Sequence, residues 1–146
     1  MKKNSFQLFI VLITALISMN AFAQPIGKIF NKNAADSIFG KVFYSQTISK
    51  AKLDSLVSDS TDVLMFKVTD ADMLILNKAR VCVYPGKRDV AKTEPFYAYS
   101  KSMIKELLDS VKTDGEVFIQ QRGSTTTLTY GDLTLEQAWL CPPFCQ

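Results

Sequence analysis

Histidine is absent from this chain of 146 residues. Its absence removes the commonest general base and the commonest metal ligand together. Ser-His-Asp and Cys-His catalytic devices are excluded, as are zinc sites that need an imidazole. Glycine is sparse, and its six copies are scattered at Gly27, Gly40, Gly86, Gly115, Gly123 and Gly131, so no Gly-rich phosphate loop can be assembled locally. Clustered positive charge is missing too. No basic run exceeds Lys87-Arg88, and that pair sits beside Asp89 in a Pro-Gly stretch that reads as a solvated loop. Asp70 and Asp72 are the nearest approach to a carboxylate pair, but Thr69-Asp70-Ala71-Asp72 separates two apolar runs and reads as a tight turn. The expectation is a chain without catalytic, cofactor-binding or metal-ligating residues, and without nucleic acid as a partner.

What is present begins at the N-terminus. Lys2 and Lys3 precede the apolar run Phe6 to Met19, and Ala21-Phe22-Ala23 follows. A basic start, a short apolar core and a small-x-small site are the three parts of a cleavable export signal, with cleavage expected before Gln24. Thr14, Ser18 and Asn20 interrupt the run, which is short for a membrane span of about 20 residues. An uncleaved anchor is the alternative. Removing residues 1–23 takes two lysines and no acid, leaving 123 residues with 15 basic and 14 acidic side chains. That length suits one domain with its own core. The expected location is the periplasm or the medium, with no membrane attachment after cleavage.

Residues 24–39 hold Pro25, Gly27 and two asparagines and show no sustained period, so they read as an irregular leader before a single domain over 40–146. Gly40 to Ile48 is β-branched and aromatic, as strands are. Ser49 caps a helix whose Leu53, Leu56 and Val57 share one stripe. Val63–Val68, Met73–Leu76 and Arg80–Tyr84 have strand length and end in turn formers, which predicts an antiparallel meander; a helix through 71–78 is the competing reading. After the polar stretch 85–94 and the aromatic segment 95–99, Ser100 or Ser102 opens a second helix with Met103, Ile104, Leu107, Leu108 and Val111 on its buried side. Glu116–Arg122 and Thr125–Tyr130 form a hairpin around Gly123-Ser124. Thr134-Leu135-Glu136-Gln137 has the form of a capping box, predicting a short terminal helix toward Trp139.

These pieces predict an α+β fold: an antiparallel or mixed sheet of five to seven strands with two amphipathic helices on one face. Trp139, Phe118, Phe66, Leu107 and Leu108 are the expected core. The helical segments after Ser49 and Ser100 match at a constant offset of 51, which suggests a degenerate β-α-β-β duplication; two unrelated amphipathic helices would give the same match. Ile104 to Tyr130 resembles the last helix and closing hairpin of a PDZ domain, and Asp72 to Val81 the strand before it. The stretch from Cys82 to Ser100 is long for that family, no carboxylate-binding loop is recognisable near the start, and no peptide-binding residue carries over.

Three cysteines remain in a chain read as exported: Cys82, Cys141 and Cys145. An oxidising compartment makes pairing the default. Cys141 and Cys145 could close a small ring around Pro142-Pro143, or Cys82 could bridge to either and staple the tail to the sheet; an odd count leaves one thiol over. The C-x3-C spacing differs from the C-x-x-C of thiol oxidoreductases. The function expected is therefore a small exported non-catalytic binding or structural module whose partner is another protein or a surface component. A thiol-dependent oxidoreductase using Cys141 and Cys145, and an inhibitor or immunity-type protein, are the alternatives.

Overall fold

The structure is a computed structural model that describes residues 24–60 and 62–142. Residues 1–23, read as an export signal, Thr61 and Cys145 lie outside the described residues. The fold is α+β, with two antiparallel sheets of five strands each and three helices. In chain order the elements are β1 (Lys28–Asn31), α1 (Lys32–Phe39), β2 (Val42–Ser49), α2 (Lys50–Asp59), β3 (Val63–Val68), β4 (Met73–Asn77), β5 (Cys82–Tyr84), β6 (Phe96–Ser100), α3 (Lys101–Ser110), β7 (Glu116–Arg122), β8 (Thr125–Tyr130), β9 (Leu133–Glu136) and β10 (Trp139–Cys141).

The first sheet runs β1-β9-β8-β7-β2 and the second β10-β6-β3-β4-β5. Matching β2–β5 with β6–β9 gives four strands in the same order in each sheet, three consecutive strands of one half and the leading strand of the other, while β1 and β10 are added at opposite ends. The helices α2 and α3 follow those exchanged leading strands, begin 51 residues apart and are ten residues each. The offset of 51 thus separates two helices that each follow the strand lent to the other sheet. One expected sheet becomes two because β2 pairs with β7 rather than with its sequence neighbour β3.

A shared core explains why the halves stay together. Ile48, Val117, Ile119, Leu128 and Leu135 of the first sheet meet Leu64, Phe66, Val68 and Ile75 of the second, with Leu53, Leu56, Ile104, Leu107 and Leu108 from the two helices. The caps divide their labour differently from what the sequence suggests. Ser49 Oγ accepts from Lys52 N at 3.3 Å as an N-cap does. Ser100 stands at the equivalent place, but its Oγ accepts from Ile26 N at 3.0 Å and donates to Ile26 O at 3.2 Å. It ties the N-terminal segment to the second sheet.

A smaller cluster, Met65, Leu74, Leu76, Cys82, Phe96, Ala98 and Cys141, occupies the other face of the second sheet with Val90 against it. The connection over 85–94 is strapped there by Arg80, whose Nη2 donates to Ala91 O and Glu94 O, and by the Lys67–Glu94 ion pair at 2.5 Å. Both cations also lie over the Phe96 ring.

Residues 24–39 are not an irregular leader. Asn31 Oδ1 accepts from Asn33 N and caps α1, Ala35 is buried, and Phe39 meets Phe30 edge-on at 5.3 Å. The expected terminal helix is also absent. Leu133–Glu136 alternates strictly and pairs on both sides, with β8 and with β1, while Gln137 takes a positive φ that ends the strand. The apparent capping box is a period-2 strand. Phe118 and Trp139 leave the expected core: Val117 and Ile119 point inward, so Phe118 points outward, and Trp139 sits on the edge strand β10. Phe66, Leu107 and Leu108 are fully buried.

Candidate functional site

The outer face of the first sheet carries a buried ionic cluster beneath α1. Alternation along β7 puts Val117 and Ile119 into the core and turns Gln120 and Arg122 to the opposite face. The same rule brings Thr127 and Thr129 of β8 and Thr134 and Glu136 of β9 to that face, all buried. Thr129 Oγ1 donates to Gln120 Oε1 at 2.9 Å and lies 3.0 Å from Thr134 Oγ1. The cluster is a polar layer built on strands and covered by a helix.

Arg122 is its centre and has no side-chain exposure. Its Nη1 donates to Asp36 Oδ1 of α1 at 2.6 Å and to Gly40 O at 2.8 Å, and Nη2 donates to Gln120 Oε1 at 3.4 Å. Its Nε lies 3.5 Å from Glu136 Oε1, close enough for charge attraction, yet neither Nε nor the Glu136 oxygens make a hydrogen bond. A single guanidinium therefore fixes the end of α1, the Gly40 link into β2, and the acid on β9. Gly40 has φ +81, a value glycine adopts without the strain of a side chain.

Glu136 carries the electrostatic cost. Burial pushes its carboxyl from 4.5 up to about 7, with Arg122 opposing the rise and Asp36 adding to it. Asp36 moves the other way, held low by Lys32 and Arg122. The folded state thus keeps a proton on Glu136 that the unfolded state releases. That contribution to stability is fully present below about 4.5 and is lost as pH rises through about 7. Thermal melts should show Tm rising as pH falls from 8 toward 5, with a limiting slope of about 1.4 kcal/mol per pH unit. Glu136→Gln should flatten that profile. An unchanged profile in the variant would assign the proton to another group.

Above this anchor lies an apolar corner. Ile38, Val42, Phe43, Tyr44 and Phe118 are exposed, with Phe43 reaching 65%. Register puts Thr47 opposite Phe118 and Val42 opposite Arg122, and Phe43 is the extra residue where the pairing shifts between Val42 and Tyr44. An open cleft of about 410 Å³, lined by Lys32, Asp36, Gly40, Lys41 and Val42, flanks it. The other exposed large apolar side chains among the described residues, Val81, Trp139 and Leu140, lie on or beside the second sheet. The corner has no nucleophile-base pair, and no group of acids or cysteines among the described residues could hold a metal.

The structure places the sequence candidates elsewhere. Cys82 is a free buried thiol that donates to Tyr84 O at 3.1 Å, so neither bridge from Cys82 is formed. Cys141 is buried in the same small cluster, on β10. Asp70 and Asp72 belong to the turn, where Thr69 Oγ1 accepts from Asp72 N and Arg88 pairs with Asp72. Sequence reasoning missed Arg122 and Glu136; the alternation Leu133-Thr134-Leu135-Glu136 was the signal that could have found the acid. No helix among the described residues is long and apolar enough to cross a membrane. Comparison with known proteins returns no family model, no curated protein and no solved structure that matches this chain. The likeness to a PDZ domain is limited to the order of helix and hairpin.

Proposed function

We propose that this protein is an exported, non-catalytic binding module whose working surface is the α1–β2 corner, and that its partner is another protein. The observation that carries this reading is the set of exposed apolar side chains, Ile38 on α1, Val42 and Phe43 at the start of the edge strand β2, and Phe118 on the adjoining β7. Soluble proteins rarely expose such a patch without a use for it, and aromatic anchors dominate protein interfaces. The buried Arg122 tie to Gly40 O and Asp36 holds the corner in one shape, which lowers the ordering cost of binding. Export rests on the N-terminal signal in the sequence, and in an oxidising compartment Cys141 would pair with Cys145 to close the tail.

The direct test substitutes the patch. Phe43→Ser combined with Phe118→Ser should leave the thermal transition almost unchanged, because both side chains are exposed, and should abolish co-purification of the partner from the native host. Val81→Ser, just before β5 of the other sheet, should retain it. Equal capture by both variants would remove the corner from the interface. Turnover in an insulin-reduction assay would replace the binding reading by the thiol oxidoreductase.

A further inference from the structure

The sheets end in four edge strands, and three are blunted. β1 is four residues long and runs straight into α1; β5 is three residues and is closed by Pro85; β10 is three residues and is followed by Pro142. Short edges and prolines are how proteins stop strands from pairing with other chains. β2 has neither. It offers eight residues, Val42–Ser49, with no charge and no proline, and its only strand partner among the described residues is β7. Internal symmetry sharpens the contrast. The equivalent edge of the second sheet, on β6, is covered by β10 in antiparallel register, Trp139 opposite Ala98 and Cys141 opposite Phe96. The fold closes that edge with a strand and leaves its counterpart open.

We infer that the β2 edge is closed by the β2 edge of a second copy, joining two first sheets into one ten-stranded antiparallel sheet across a two-fold axis. Three features favour a second copy as the occupant. A two-fold interface needs a surface that can face itself, and an uncharged strand meets that condition. The chain that remains after export is close to neutral, so two copies approach without long-range repulsion. Register is selected as well. Lys41 and Lys50 flank the strand, and pairing over its whole length would set them opposite each other, which is unfavourable. An axis at Tyr44 avoids this, placing Val42 opposite Gln46, Phe43 opposite Ser45 and Lys41 opposite Thr47.

The inference rests on the proposed use of the α1–β2 corner and extends it, because the edge pairs through backbone and leaves Phe118 on the face of the joined sheet. The test is sedimentation of the protein purified after expression of the full reading frame, up to about 100 µM. The parent should sediment as a dimer. Phe43→Lys with Ser45→Lys should weaken association by at least about a hundredfold, since the proposed register sets these lysines against each other. Phe43→Glu with Ser45→Glu should do the same, and an equal mixture of the two variants should restore a dimer. A parent that stays monomeric throughout, charged variants that dimerise as the parent does, or a mixture that stays monomeric would each overturn the inference. Circular dichroism reports folding, and Tyr44→Arg serves in place of any variant that fails to fold. A monomeric parent that still loses its partner on Phe118→Ser would sink this inference alone. A dimer indifferent to Phe118→Ser in partner capture would sink the docking surface alone.

Discussion

Replacing Arg122 by methionine should destabilise the protein by about 3–5 kcal/mol, the range for removing one member of a buried ion pair. The side chain is fully buried, and methionine fills most of its length while taking from Gly40 O its side-chain donor and from Asp36 and Gln120 one donor each. Glu136 then loses the positive charge that opposes its rise and must take a proton to stay buried. The loss should accordingly be greater at pH 8 than at pH 5. In a domain of this size the fall in Tm should be about 10–20 °C. Adding Glu136→Gln to the variant should recover a substantial part, since a neutral pair no longer strands a charge. Chemical denaturation at both pH values measures all three quantities. A cost below about 1 kcal/mol at pH 8 would mean that the cluster does not hold α1 to the sheet.

Tyr99→Ala should cost a similar amount, about 3–5 kcal/mol. Tyr99 stands on β6 of the second sheet, yet its hydroxyl donates to Thr126 O of β8 at 2.8 Å, with Leu135 O of β9 a second acceptor at 3.1 Å. Its ring lies 6.2 Å from that of Phe66 in the shared core. It is therefore a tie between the sheets as well as core volume. The backbone of Gly27 comes so close that a Cβ there would lie 2.9 Å from the ring and 2.8 Å from Leu135. Burial holds the phenol well above its usual range, so it remains a donor at any working pH. Tyr99→Phe, which keeps the ring and removes the donor, should cost about 1–3 kcal/mol. Urea titration separates the two variants, and equal losses would show that the hydroxyl contributes nothing.

Local elements were legible where one rule acted alone. The stripes Leu53-Leu56-Val57 and Ile104-Leu107-Leu108 specify their helices because packing and propensity agree. The Gly123-Ser124 corner was legible because only the first central residue takes a positive φ. Pairing between distant strands was not, since nothing along the chain says that β2 joins β7 rather than β3. Thr134 and Gln137 imitated a helix cap because polar residues buried for the Arg122 cluster occupy positions where a cap would place them. Asn31 and Ala35 gave too weak a stripe to announce α1, which is held by Phe30 against Phe39 and by Arg122, from far along the chain, against Asp36. The candidate site depends on all three of these features, so its position became visible only in three dimensions.

The claim that the α1–β2 corner is the working surface is tested most directly by placing a photo-crosslinking amino acid at position 43 in the native host and irradiating intact cells. Defined covalent adducts to a protein other than a second copy are expected at position 43, and none when the same group replaces Val81 or Lys112. Adducts of equal yield at all three positions, or none at position 43 while Val81 gives a defined product, would contradict it.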